Sequence, residues 1–128
     1  MKVGETVTTE ILAREKWSDT RISIVAGEEY HFKSSGQWND KTIVCGADGY
    51  ASPNLLLRAS EFLRRVPSAP WFALIGSIDR NEDAFFLLGA EATITPQSTG
   101  TLYCFANDVS FMYWNNTGGI QLSVTRVR

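Results

Sequence analysis

Arg21-Ile22-Ser23-Ile24-Val25-Ala26-Gly27-Glu28-Glu29-Tyr30-His31-Phe32-Lys33 is the stretch that decides the fold class. Ile22, Ile24 and Ala26 alternate with Arg21, Ser23 and Val25, and Tyr30 and Phe32 alternate with Glu29, His31 and Lys33. Successive side chains of a strand point to opposite faces, so a period of two describes strands with one buried face. Gly27-Glu28 between the runs reads as a tight connection, which predicts a hairpin.

The same period returns near the end, where Ile120, Leu122 and Val124 alternate with Gln121, Ser123 and Thr125 in a strand expected over 120–127. Further strands are expected at 6–13, 71–78, 84–88, 91–95 and 101–106. Trp71-Phe72-Ala73-Leu74-Ile75 is apolar at every position, the mark of a strand covered on both faces. Short strands separated by turn residues roughly every 8 to 12 residues point to a sandwich or barrel. One segment breaks the pattern. Leu56, Ala59, Leu63 and Val66 recur at three-and-four spacing between Asn54, a cap, and Pro67, which predicts one short helix over 54–66, a covering connection.

The chain has 128 residues, the length of one domain spanning 1–128 with a core of its own. Its net charge of −2 gives no basis for nucleic-acid binding, which leaves a basic footprint. Arg58, Arg64 and Arg65 read as a solvated face. No apolar run approaches the roughly 20 residues that span a bilayer. Met1-Lys2-Val3-Gly4-Glu5-Thr6 lacks the apolar centre of a secretory signal, so a cytoplasmic location is the default expectation, with signal-independent export compatible with it. Cys45 and Cys104 read as buried thiols rather than a disulfide in that setting.

The most chemically distinctive stretch is Asn107-Asp108-Val109-Ser110-Phe111-Met112-Tyr113-Trp114-Asn115-Asn116-Thr117-Gly118. Asp108, Asn115 and Asn116 gather three side-chain oxygens in one connection between two strands. Oxygen ligands of low net charge suit calcium, which takes six to eight of them in flexible geometry. They suit zinc poorly, because the loop holds neither cysteine nor histidine. The Asn115-Asn116-Thr117 sequon reads as coincidence.

Catalysis finds little support. The sole histidine, His31, sits among polar alternates of a strand, and no nucleophile elbow, paired metal histidines or phosphate-cradling glycine loop is present. Trp38, Tyr50, Tyr113 and Trp114 flank polar or glycine-rich segments, where an aromatic ring either offers a ligand a flat apolar platform or plugs an end of the sandwich.

Gly100-Thr101-Leu102-Tyr103-Cys104-Phe105-Ala106-Asn107-Asp108-Val109, followed by Tyr113-Trp114-Asn115-Asn116-Thr117-Gly118, resembles the penultimate strand and metal loop of the PA-I type galactose-binding lectins of bacteria, the LecA-like family. Ala73-Leu74-Ile75-Gly76-Ser77-Ile78 resembles an inner strand of that family, and Gly36-Gln37-Trp38-Asn39-Asp40 its further ligand loop. The resemblance implies an all-β, jelly-roll-like sandwich of the galactose-binding kind with one short helical insertion. It implies calcium held by the side chains of Asp108, Asn115 and Asn116 and the main-chain carbonyls of Met112 and Asp40. It also implies a carbohydrate whose adjacent hydroxyls complete the calcium shell beside Asp108, Val109, Asn115 and Asn116, with Trp38, Tyr50 and Trp114 as aromatic neighbours. The family's histidine and glutamine sugar contacts have no counterpart in 48–70, which contains neither residue.

Three readings stand open on the sequence. The first is calcium-dependent, non-catalytic binding of galactose or another vicinal-diol sugar by a homo-oligomer. The second is an interaction or assembly module that keeps the fold without sugar binding. The third is an enzyme using a carboxylate pair in a cleft.

Overall fold

The computed structural model describes residues 1–51 and 63–128. Two antiparallel sheets pack face to face as a β-sandwich. The strands are β1 (Thr6–Leu12), β2 (Ser18–Ile24), β3 (Tyr30–Ser35), β4 (Trp38–Asp40), β5 (Ile43–Cys45), β6 (Asp48–Tyr50), β7 (Trp71–Ile78), β8 (Phe86–Leu87), β9 (Glu91–Ile94), β10 (Gly100–Ala106) and β11 (Asn116–Arg126). One sheet is organised on β11, which pairs with β1, β3 and β4, while β5 and β9 extend it. The other runs β2-β10-β7-β6, with β8 also on β7.

The alternating side chains meet between the sheets. Ile11, Tyr30, Phe32, Ile120, Leu122 and Val124 from one sheet join Ile22, Ile24, Phe72, Leu74, Leu102 and Cys104 from the other in one buried cluster. On the opposite face of β11, Thr6 and Thr8 hydrogen-bond Thr125 and Ser123 across the strand pair, at 2.7 and 2.9 Å. The run from Trp71 is buried at all eight positions, as its two-faced apolar pattern predicts. Its outward-facing Ile75 and its neighbour Phe105 pack under Ala69, Trp17, Val66 and Phe85.

The expected hairpin is not formed. β2 pairs with β10, and β3 pairs with β11 and β9, so residues 25–29 turn a corner from one sheet to the other. The amides of that corner find partners outside any hairpin ladder. Val25 donates to the Tyr30 hydroxyl at 3.0 Å, Ala26 to Thr99 Oγ1 at 2.9 Å, and Gly27 to the Pro96 carbonyl at 3.0 Å. Gly27 takes φ +87°, a conformation that favours glycine.

The helix expected over 54–66 lies largely outside the described residues; its end, 63–66, carries an isolated antiparallel bridge from Arg64 to Val109. Arg64 and Arg65 are not a solvated face. Arg64 is buried, donating from Nε to the Ala69 carbonyl and from Nη2 to the Pro67 carbonyl. The Arg65 guanidinium lies 3.4 Å from the Phe105 ring centre and 4.4 Å from that of Trp17. Cys45 and Cys104 are free, buried thiols. Burial pushes the Cys45 thiol up to about 11 and Cys104 higher still. No helix among the described residues is long and apolar enough to cross a membrane.

Candidate functional site

β10 ends at Ala106, and the chain reaches β11 through a loop whose two halves do different work. Asn107 anchors the first half. Its Oδ1 accepts from the Val66 amide, and its Nδ2 donates to the carbonyls of Val66, Ala69 and Pro70, so residues 66–70 are clamped to the end of β10. The chain then turns at 109–112, where the Met112 amide donates to the Val109 carbonyl at 2.9 Å, and enters a single 3₁₀ turn at Tyr113–Asn115. Tyr113 is buried and donates its hydroxyl to the Ala106 carbonyl at 2.5 Å, while accepting from Arg65 Nη1 at 2.9 Å. The loop is thereby stapled at both ends.

Held in this frame are Asp108, Asn115 and Asn116. Asp108 is 4% exposed and Asn116 2%. Asn116 Nδ2 donates to Asp108 Oδ2 at 3.0 Å and to the Ala13 carbonyl at 3.1 Å. Those two acceptors fix the amide's orientation, since flipping it would set its oxygen against a carboxylate and a carbonyl. The Oδ1 atoms of Asn115 and Asn116 are both buried without a hydrogen-bond partner. Buried polar oxygens are nearly always satisfied, and leaving one unpaired costs roughly 1–3 kcal/mol.

The electrostatics agree. Burial pushes the Asp108 carboxyl up to about 6; the negative charge of Asp40 adds to the rise, while hydrogen bonds from Asn116 and the Val109 amide oppose it. Burial also raises Asp40, whose Oδ2 accepts a short hydrogen bond from the Tyr50 hydroxyl. Tyr50 is raised as well, by burial first and by its bond to Asp40. Asp40 and Asp108 line one cleft of about 250 Å3 with Leu63, Trp71, Val109, Phe111 and Met112. Asn115 and Asn116 lie outside that lining, with Asn116 linked to it through Asp108; carboxylate and amide oxygens are the donor types that a hard divalent cation such as calcium takes.

The structure thus places Asp40, Asp108, Val109 and Met112 along one cleft and bonds Asn116 to Asp108, while Asn115 precedes Asn116 in the same loop and lies outside the cleft lining. The aromatic residues divide. Trp38 is 0% exposed and packs edge-on against Phe72, with ring centres 5.5 Å apart. Expected beside a sugar, it is a core residue instead, because the short strand β4 turns its side chain inward between the sheets. Tyr50 is half-buried with its hydroxyl committed to Asp40. Trp114 is 77% exposed on the loop. Phe111, 72% exposed, lines the cleft and was not singled out from the sequence; a large aromatic at the centre of a polar loop was the available signal. Tyr50 bonding Asp40 had no local signal at all, since it depends on β4 and β6 being brought together.

No family model matches the sequence, and no curated protein matches it. Among solved structures, the chain is similar to one described as "EclA N-terminal domain; PllA-like lectin", with a TM-score of 0.69 and 16% identity over 93% of this chain and 94% of that one. At that identity the likeness establishes the fold.

Proposed function

We propose that this chain is a calcium-dependent, non-catalytic carbohydrate-binding protein. One observation carries the reading: the amide oxygens of Asn115 and Asn116 are buried without partners in the loop that carries the buried Asp108, to which Asn116 is bonded. Asp108, Asn115 and Asn116 hold the ion through side chains, with the carbonyls of Met112 and Asp40 as further donors. An ion held by these residues would offer Lewis-acid contact to two adjacent hydroxyls of a sugar, a galactose-type or other vicinal diol. Asp108 and the Asn115 amide then hydrogen-bond the same hydroxyls and Val109 and Trp114 flank them, while Asn116, whose two N–H groups are given to Asp108 and Ala13, contributes only its oxygen to the ion. The described lectin neighbour supports the proposal through its fold.

The cleft holds a pair of carboxylates, the arrangement an enzyme would also use. Both are already engaged: Asp108 accepts from Asn116 and the Val109 amide, and Asp40 from Tyr50. His31 pairs instead with Glu91 at 2.5 Å and does not line the cleft. This favours binding over catalysis. The exposed Phe111 and Trp114 favour, as a second reading, a module that docks another protein through the same loop.

A shallow site for one monosaccharide is weak because few contacts offset lost ligand freedom, so useful avidity comes from several copies in a homo-oligomer. Glycan-array binding with millimolar calcium and with excess chelator tests the proposal. Chelator-sensitive binding to a set of diol-bearing glycans is the expected result; no glycan binding in calcium rejects sugar recognition in favour of the docking module.

A further inference from the structure

We infer that the side-chain carboxylate of Asp40, aimed by the Tyr50 hydroxyl, is a second anionic ligand of the cation site, so that this site is built on two carboxylates. The inference rests on the calcium reading above and goes beyond it, since that reading asks only a main-chain carbonyl of Asp40.

Strand register supplies the first argument. β4 pairs antiparallel with the start of β11, and Asp40 lies directly opposite Asn116. Directly opposed residues of an antiparallel pair project to the same face, with Cβ atoms about 4.5–5.5 Å apart. Asn116 uses its amide nitrogen on Asp108 and Ala13, leaving its oxygen without a partner, and the residue is 2% exposed. Asp40 therefore stands on the same face as Asn116, whose nitrogen holds Asp108 and whose oxygen is unpartnered. The carboxylates of Asp40 and Asp108 also border the same cleft, which Asn116 adjoins through its bond to Asp108.

Tyr50 supplies the second argument. β6 pairs with β7 and brings the Tyr50 hydroxyl onto Asp40 Oδ2. A carboxylate has two oxygens and about four acceptor sites, so one bond from Tyr50 fixes its orientation and leaves Oδ1 free to coordinate. The approach of β6 to β7 depends on Gly49 (φ +72°), where a Cβ would lie 2.1 Å from the Trp71 carbonyl oxygen. The backbone is thus shaped to bring Tyr50 in. Two like charges facing one cleft repel each other, and a divalent cation between them removes that repulsion. Two carboxylates and a divalent ion are neutral together, so the site suits uncharged hydroxyl ligands.

Isothermal titration of calcium into chelator-stripped protein, paired with terbium luminescence and thermal melting in chelator, tests this. Asp40→Asn should weaken calcium at least tenfold, melt no lower than wild type in chelator, and weaken terbium more than calcium. Tyr50→Phe should weaken calcium a few-fold, and Asp40→Asn with Tyr50→Phe should bind no worse than Asp40→Asn alone, because the hydroxyl acts only through the carboxylate. A merely structural Tyr50 would instead add its loss to the double variant. Unchanged calcium affinity in Asp40→Asn, with Asp108→Asn abolishing binding, overturns the inference and leaves the calcium reading intact. No calcium binding by wild type overturns both.

Discussion

Asn107 and Asn116 are both asparagines sealed inside the same end of the sandwich, yet their amides have opposite fates. Asn107 makes four hydrogen bonds, one through its oxygen and three through its nitrogen. Asn116 satisfies only its nitrogen, and its oxygen faces no donor among the described residues. An unpaired buried oxygen works against folding, whereas a satisfied one contributes to it. The difference separates an amide that builds the loop from one that the loop presents to something else.

The largest effect should come from breaking the satisfied member. Asn107→Ala strands the Val66 amide and takes one of two donors from each of the Val66, Ala69 and Pro70 carbonyls, which keep the Ala69 amide, Arg64 and the Ala73 amide; with four hydrogen bonds lost at roughly 1 kcal/mol each, it should lose about 3 kcal/mol. Urea unfolding should show that loss equally with calcium and with chelator. A loss under about 1 kcal/mol would mean the clamp does not hold the loop.

Acidity should sharpen the contrast next. The Asp108 carboxyl sits at about 6 in the folded protein against an ordinary 3.8, so between those values the folded state binds the extra proton. Its destabilising contribution is absent below 3.8, grows through this window and is complete above 6. In chelator, wild type should therefore gain roughly 2 kcal/mol relative to Asp108→Asn on going from pH 7 to pH 4. Calcium should reverse the trend, because the ligand must be ionised to hold it. A wild-type minus variant difference that is flat with pH in chelator would contradict the buried, cation-free carboxylate.

Asn115→Ala removes an oxygen that bonds nothing in the protein. Stability in chelator should fall by no more than about 0.5 kcal/mol and rise by as much as the unpaired oxygen costs, roughly 1–3 kcal/mol at most, while calcium affinity falls at least tenfold. Melting curves and calorimetry separate the two quantities. The smallest effect belongs to Trp114→Ala, whose ring is exposed: stability should again stay within about 0.5 kcal/mol, and glycan affinity should drop a few-fold. Unaltered glycan binding would remove Trp114 from the sugar face.

Much of this was legible in the sequence, for definable reasons. β7, β10 and β11 announce themselves because apolar content on one or both faces is a local pattern. The corner at 25–29 was misread as a hairpin because Ile22 and Ile24 alternate in the same way whether they pair beside Tyr30 and Phe32 or face them across the core. β4, β5 and β6 have only three residues each, too few for any period to register, and this hid both the burial of Trp38 and the meeting of Tyr50 with Asp40. Arg64 and Arg65 looked solvated because their partners, the 66–70 carbonyls and the Phe105 and Trp17 rings, are assembled only by the fold. Asp108, Asn115 and Asn116 share one short loop, so their grouping is legible along the chain. Asp40 stands opposite Asn116 and shares a cleft with Asp108 through a strand register that no local spacing encodes.

The most direct test of the central claim is anomalous diffraction from a crystal soaked in calcium or a heavier analogue. The account predicts one peak per chain, about 2.3–2.6 Å from the Asn115 and Asn116 Oδ1 atoms and an Asp108 carboxylate oxygen. No peak there at millimolar ion, with both amide oxygens bonded to water or to protein donors, would contradict it.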